Sequence, residues 1–272
     1  MSGFIDFAKT RRSVRTFDGN DVKPELIDDL KNFSNNIVNP YGIDITIAFH
    51  DAKEEKLSSP VIAGEKCYVT AKVKKAPHAE EAYGYSFEAF LMHAHELGLG
   101  TVWIGGTMPR EKFEAAANVQ GDEIMPCVSP LGVTADKMSI KEGLMRKGVK
   151  ADTRLEFEKL FYENNINLPL STDRAKEIGV LDALEAVRLA PSAVNKQPWR
   201  IIIRGNRAIF IENKDKAFAN NAEYDLQKVD IGIAMYHFEQ QLISEGKKPA
   251  FEVENPDLDL ASNMEYIITC KW

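Results

Sequence analysis

The spacing of apolar and polar positions along this chain predicts a series of helices and strands. Residues 23–34 place Leu26, Ile27 and Leu30 on one helical face, and Pro24 suits a first helical turn. The same helical spacing predicts helices at 83–97 and 110–118, and strand-like spacing of apolar residues predicts strands at 43–49, 67–73 and 125–133.

The second part of the chain repeats much of this order. Its periods predict a helix at 179–189, strands at 199–204 and 208–212, a helix at 229–245 and a strand at 264–272. A shift of 148 positions aligns Gly84 with Gly232, Phe90 with Phe238 and Gly98 with Gly246. Solenoid repeats are only about 20–50 residues long, so we expect a duplicated domain. The alternative is that two unrelated halves share these matches by chance.

Length, charge and cysteine content narrow the class of protein. At 272 residues the chain is long enough for one large domain or two small ones. A net charge of −7, from 34 basic and 41 acidic residues, disfavours a nucleic-acid or membrane partner. Cys67, Cys127 and Cys270 form no C-x-x-C pair, which is typical of reduced cytosolic thiols. No segment resembles a secretory signal or reaches the ~18 apolar residues of a membrane span. We therefore expect a soluble, cytoplasmic protein.

Residues 11–15, here called the arginine segment, read Arg-Arg-Ser-Val-Arg. One interpretation is a solvated helix face, which most charge clusters are. Against it, Ser13 and Val14 suit a helix interior poorly, and Arg11, Arg12 and Arg15 cannot all face one way. An irregular segment that orders arginines needs an anionic partner to offset the lost entropy. We therefore favour a small anionic ligand at this segment.

Residues 191–199, here called the proline loop, read Pro-Ser-Ala-Val-Asn-Lys-Gln-Pro-Trp. A helix stop at Pro191 and a strand entry after Pro198 would explain the prolines without any ligand. That interpretation leaves the polar side chains of Ser192, Asn195 and Gln197 unexplained between two apolar segments. Polar groups on a stiff backbone can recognise the edge of a flat polar ring.

Residues 98–106, here called the glycine segment, contain four glycines. A dinucleotide-binding fingerprint is excluded because Trp103 stands at the third glycine position and the segment follows a helix. A helix end followed by a strand would explain Gly98, but it would not explain Gly105 and Gly106. Their amides can approach a ligand with no Cβ in the way.

Other chemistry-bearing residues carry weaker signals. His93 and His95 are two positions apart on a predicted helix and so face different directions, which argues against a metal pair. The sequence contains no nucleophile elbow, Walker loop or metal-binding cysteine pair. We therefore predict neither a metal site nor a catalytic side chain.

Together the arginine segment, the glycine segment and the proline loop resemble the nitroreductase family of FMN enzymes. The resemblance implies an α+β, nitroreductase-like fold with two pseudo-symmetric halves, each a mostly antiparallel sheet flanked by helices. The first half, 1–150, carries the arginine and glycine segments; 151–178 forms a connector; and 179–272 carries the proline loop. In the family, the proline loop follows the arginine motif within one short protomer, and two protomers build two flavin sites. Here the two motifs lie in different halves.

This departure implies a fused, asymmetric mimic of the family dimer, with one intact site and one decayed site. Residues 34–41 stand where the proline loop of the first half would be, and the second half has no arginine motif. The resemblance thus implies one FMN per chain and a monomer, since the usual dimer interface would be internal.

The resemblance also implies a role for particular residues. Arg11 and Arg12 would face the flavin ring edge at N1 and O2 and the ribityl or phosphate oxygens, and Ser13 and Arg15 would bind the ribityl chain and phosphate. Arg154 matches the family's later phosphate-binding arginine.

Two further groups complete the implied site. The backbone of Gly105 and Gly106 would approach N5 and O4 of the flavin. The opposite side would be closed by residues of the proline loop: Pro191, Ser192, Ala193 and Asn195.

The implied activity is electron transfer from NADH or NADPH through bound FMN to a nitroaromatic, quinone or similar conjugated acceptor, with ping-pong kinetics. One alternative is a flavin-binding sensor or carrier without efficient turnover. Another is a flavin-free structural relic, against which the retained arginine segment and proline loop argue.

Overall fold

A computed structural model describes residues 3–148, 153–215 and 223–272. They divide into two compact units. The first unit is Arg11–Asp152, and the second unit combines Met1–Thr10 with Thr153–Trp272.

Helix α1 (Phe4–Thr10) packs within the second unit although it lies at the start of the chain. The backbone amide of Ile5 donates to Gln241 Oε1 at 2.7 Å. The ring of Phe4 meets the ring of His237 edge to face, with centroids 5.3 Å apart. The N-terminal helix is therefore part of the core that the C-terminal residues build.

The first unit contains helices on an antiparallel sheet. Its elements are α2 (Pro24–Ser34), β1 (Ile45–Asp51), β2 (Cys67–Lys74), α3 (Ala79–Glu96), β3 (Gly100–Thr101), α4 (Arg110–Ala116), β4 (Glu123–Ile124), β5 (Val128–Gly132) and α5 (Ile140–Gly148). The described strands pair in the order β1-β2-β5-β3, and β4 also pairs with β2.

The core of the first unit forms around α3. Its aromatic side chains Tyr83, Phe87 and Phe90 are fully buried. Gly98, at φ +80°, ends this helix in the left-handed region that glycine adopts without strain.

The second unit has the same kind of architecture. Its elements are β6 (Phe161–Glu163), α6 (Thr172–Glu177), α7 (Leu181–Leu189), β7 (Trp199–Arg204), β8 (Arg207–Asn213), α8 (Leu226–Ser244), β9 (Ala250–Glu252) and β10 (Met264–Lys271). The described strands pair in the order β6-β7-β8-β10-β9, parallel between β6 and β7 and antiparallel elsewhere. Trp199, Phe210 and Phe238 are fully buried in its core.

The two sheets share one strand order. The path β1-β2-β5-β3 in the first unit corresponds to β7-β8-β10-β9 in the second, and each has a long helix, α3 or α8, after its second strand. The α+β class with mostly antiparallel sheets and flanking helices is thereby confirmed.

The boundaries of the units differ from the predicted halves in two places. Residues of α1 belong to the second unit, and the predicted connector 151–178 contributes β6 to the sheet through its parallel pairing with β7. Residues 1–2 of the first predicted half, residues 149–150 at its end and residues 151–152 of the connector lie outside the described residues.

The predicted strand at 125–133 is shorter in the structure, where β5 covers Val128–Gly132 and the two-residue strand β4, Glu123–Ile124, lies before the predicted start. Between them, the Arg110 guanidinium donates to the carbonyls of Met125 at 2.7 Å and Pro126 at 3.1 Å. Because these carbonyls face a side chain, they are lost to sheet pairing. Within the described ranges, no helix has the length and apolar character needed to cross a membrane.

Candidate functional site

The arginine segment is extended in the structure. Ser13 bridges Thr101 in parallel fashion, and the amide of Val14 donates to the Thr101 carbonyl at 2.9 Å. A Cβ on Gly100 would lie 2.9 Å from Val14 Cγ1, closer than real Cβ atoms come to their neighbours. Glycine at this position therefore lets the arginine segment lie against the glycine segment.

Arg11 and Arg15 each bury a guanidinium nitrogen that lacks an acceptor. Arg11 Nε and Arg15 Nη1 have no hydrogen-bond partner among the residues that the structure describes. Burial lowers the pKa of both guanidinium groups, whereas the negative charges of Glu88 at Arg11 and Glu142 at Arg15 raise it. A buried donor without an acceptor costs free energy, so these two nitrogens are suited to an acceptor-rich ligand.

A third arginine, Arg146 on α5, adds positive charge at the same place. Its charge lowers the pKa of Arg11 and also that of Arg15. We call Arg11, Arg15 and Arg146 the arginine cluster. Like charges held near each other in a partly desolvated place favour an anion between them. No sequence motif marks Arg146, since it is one basic residue in a charged stretch.

Arg12 has a partner within the chain. Its Nη1 donates to Oε1 of the fully buried Glu142 at 2.8 Å. The other carboxylate oxygen of Glu142 accepts from Thr16 Oγ1 at 2.8 Å and from the Arg15 amide at 3.2 Å. Arg12, expected at the flavin ring edge, thus contributes to the attachment of α5 to the arginine segment.

The glycine segment contains one glycine that neither packing nor conformation explains. Gly106 is exposed, its φ lies outside the left-handed region, and a Cβ there would meet nothing within 4 Å. Gly105 has a structural contact, because its carbonyl accepts from Arg110 Nη2 at 2.9 Å. Earlier in the segment, Trp103 donates its indole Nε1–H to the buried carboxylate of Glu88 at 2.8 Å.

The proline loop, in the second unit, has a strained backbone. Val194, Asn195 and Gln197 have φ values of 42°, 59° and 51°, a region that β-branched residues such as valine almost never adopt. Strain of this kind costs about 1–3 kcal/mol and is common at functional sites. The Ala193 amide donates to both carboxylate oxygens of Asp230 at 3.0 and 3.1 Å, which helps to hold this conformation.

The polar side chains of the proline loop bond within the second unit. Ser192 Oγ accepts from the backbone amide of Gln197 at 2.9 Å, and the side-chain Oε1 of Gln197 accepts from the backbone amide of Leu155 at 3.0 Å. Asn195 Nδ2 donates to the Thr153 carbonyl at 3.0 Å. These contacts give the loop's polar residues a structural role that the sequence interpretation did not foresee.

Arg154 caps the C-terminal end of α7. Its guanidinium donates to the carbonyl of Arg188, to that of Leu189 at 3.2 Å, and to that of Thr153 at 2.8 Å. Carbonyls at a helix C-terminus lack intrahelical donors and carry partial negative charge. These contacts give Arg154 a structural role in the second unit, whereas Arg146 belongs to the arginine cluster.

Two buried carboxyl groups of the second unit had no sequence signal. Burial raises the pKa of Glu212 on β8 to about 8, and burial raises the pKa of Asp230 on α8 well above its usual range. Both Glu212 oxygens lack hydrogen-bond partners within the described ranges.

Comparison with known proteins identifies the family. The family model described as "Putative TM nitroreductase" matches residues 5–242. The chain belongs to this nitroreductase family. A solved "putative nitroreductase" from Thermotoga maritima MSB8 shares 18% identity, covers 99% of this chain and 93% of its own, and gives a TM-score of 0.64.

Shorter nitroreductases match less of the chain. An "FMN-dependent Nitroreductase" from Clostridium difficile R20291, 18% identical, covers 50% of this chain and 90% of its own with a TM-score of 0.43. No curated protein matches this chain. Family membership confirms the resemblance drawn from the three motifs and supports a general oxidoreductase role for the chain.

Proposed function

We propose that this protein is an FMN-dependent oxidoreductase that takes electrons from NADH or NADPH and reduces a nitroaromatic, quinone or similar conjugated acceptor. The observation that carries the proposal is the pair of buried guanidinium nitrogens, Arg11 Nε and Arg15 Nη1, that lack acceptors among the described residues. FMN offers a phosphate and a polar ring edge, which are the acceptors that arginine recognises. When bound, FMN supplies two-electron redox chemistry at N5, which is the basis of the proposed ping-pong kinetics.

The residues divide into binding and tuning roles. Arg15 and Arg146 provide the positive charge for the phosphate, and Arg11 places a cation at the ring edge, where it stabilises negative charge on the reduced ring. Gly106 leaves its backbone open to the ligand. The motif also assigns FMN contacts to four residues of the proline loop: Pro191, Ser192, Ala193 and Asn195.

We also propose that the chain arose by duplication and functions as a monomer with one FMN. The shared strand order of the two sheets supports this. So does the distribution of motifs, because the arginine segment occurs only in the first unit and the proline loop only in the second. Light scattering coupled to size-exclusion chromatography should give the mass of a single chain; an obligate dimer would contradict the fusion.

The first test is the FMN content of the purified protein, measured by visible absorbance. We expect one FMN per chain, and Arg15→Met should weaken FMN binding about tenfold to a hundredfold, the effect of losing one charged hydrogen bond. Arg174→Met is the matched control, since Arg174 is 46% exposed and pairs with Glu163 and Glu177 on the surface. A chain that stays colourless after FMN addition would refute the proposal.

A second assay separates the enzyme from a flavin-binding sensor or carrier. Steady oxidation of NADH or NADPH should depend on an added quinone or nitroaromatic acceptor, with parallel double-reciprocal plots as the mark of ping-pong kinetics. Bound FMN without turnover would favour the sensor or carrier.

A further inference from the structure

Glu88 is a buried carboxylate placed between two parts of the first unit. It lies on α3 and is fully buried. Its Oε2 accepts from the indole Nε1 of Trp103 at 2.8 Å, and Trp103 lies two residues before Gly105. Its charge also acts on the buried guanidinium of Arg11. One carboxylate is thus connected with the glycine segment by a hydrogen bond and with the arginine cluster by charge.

A third group reports on the same charges. His95 lies seven residues after Glu88, two turns along α3. Burial lowers the pKa of His95; the positive charge of Arg11 lowers it further, and the negative charge of Glu88 raises it. The pKa of His95 therefore depends on the charges of both Glu88 and Arg11.

We infer that Glu88 is a positioning residue of the proposed flavin site, where it offsets the positive charge of Arg11 and holds Trp103 ahead of the glycine segment. The inference rests on the proposed function. A cation at the ring edge stabilises negative charge on the reduced ring. A buried anion beside that cation weakens this effect, because Coulomb interactions are strong where water is excluded. Glu88 therefore keeps the reduction potential of the bound flavin lower than Arg11 alone would set it.

The decisive variant is Glu88→Gln, which removes the charge and keeps the shape. We expect reduced FMN to bind about tenfold more tightly relative to oxidised FMN, as one unit charge roughly 10 Å away would cause at an effective dielectric constant of about 20. For a two-electron couple that is a positive shift of about 30 mV, measured by equilibration with a reference dye.

Two matched variants separate charge from packing. Trp103→Phe removes the hydrogen bond and leaves the carboxylate, so its shift should be smaller than that of Glu88→Gln. Glu81→Gln alters an equally buried carboxylate two turns earlier on α3 that pairs with His78, and it should leave the potential unchanged. An unshifted potential in Glu88→Gln, or an equal shift in Trp103→Phe, would overturn the inference.

A readout without flavin completes the test. In the flavin-free protein, the His95 resonance, assigned with His95→Gln, should titrate at a lower pH in Glu88→Gln and at a higher pH in Arg11→Gln. An unchanged His95 titration in Glu88→Gln would overturn the inference without reference to FMN. If FMN failed to bind while His95 responded, the proposed function would be refuted and the electrostatic relation would stand. If FMN bound but the reduction potential of Glu88→Gln did not move, the proposed function would stand and the inference about Glu88 would be overturned.

Discussion

Removal of the Glu142 side chain should destabilise the first unit. The carboxylate is fully buried and accepts from Arg12, from Thr16 and from the Arg15 amide. In Glu142→Ala, the Thr16 hydroxyl and the Arg15 amide each lose an acceptor, at about 1 kcal/mol or more apiece. Arg12 is 38% exposed, so it regains water, and its pairing with Glu142 contributes at most about 1 kcal/mol. The loss should total about 3 kcal/mol.

The assay is thermal unfolding followed by circular dichroism, where a loss of this size lowers Tm by roughly 6–12 °C in a domain of this length. Glu142→Gln should fall between Glu142→Ala and the natural chain, because the amide oxygen still accepts one hydrogen bond. Glu54→Gln, at an exposed turn, is the control. A Tm within 1–2 °C of the natural chain for Glu142→Ala would refute the view that this carboxylate anchors α5, since only surface substitutions have effects so small.

Three further predictions concern the second unit. Val194→Gly should raise stability by about 0.5–1 kcal/mol in thermal unfolding, because glycine adopts the positive φ of Val194 without strain and the side chain is 56% exposed; a loss of stability would contradict the strain. Burial raises the pKa of Glu212 to about 8. The folded chain therefore keeps a proton that the unfolded chain loses at pH ~4.3, and stability falls as the pH rises from the lower of these pKa values to the higher. Glu212→Gln should therefore raise Tm at pH 8.5 and leave it unchanged at pH 4; equal effects at both pH values would contradict this. Arg154→Met should lower stability by about 1–2 kcal/mol through the lost cap of α7 without changing FMN affinity; a weakened affinity would restore Arg154 as a phosphate ligand.

Long periodic elements could be predicted from the sequence because local spacing determines them. The helix from Tyr83 onward, its end at Gly98 and the strand at Trp199 were all visible in the apolar pattern. The strand near Met125 was predicted too long, because the arginine that takes its carbonyls lies about fifteen residues away and leaves no local signal.

The candidate site was predicted only in part, for a related reason. Motif residues such as Arg11 and Arg15 were visible because they cluster in sequence. Glu88, Glu142 and Arg146 are single charged residues on helices, and only the fold brings their charges to the arginine segment. The sequence analysis predicts no helix for the residues that carry Glu142 and Arg146, since their charged neighbours mask a short helical period.

The place of α1 has a consequence for biosynthesis. The helix belongs to the second unit, where its Phe4 and Ile5 amides bond to Ser244 and Gln241 of α8. During translation α1 must therefore wait for more than two hundred further residues before its partners on α8 exist. At about 5–20 residues per second, that delay is roughly 12–50 s. A single proteolytic cut near residue 152 would likewise fail to release two complete units, because the second would still need the opening residues of the chain.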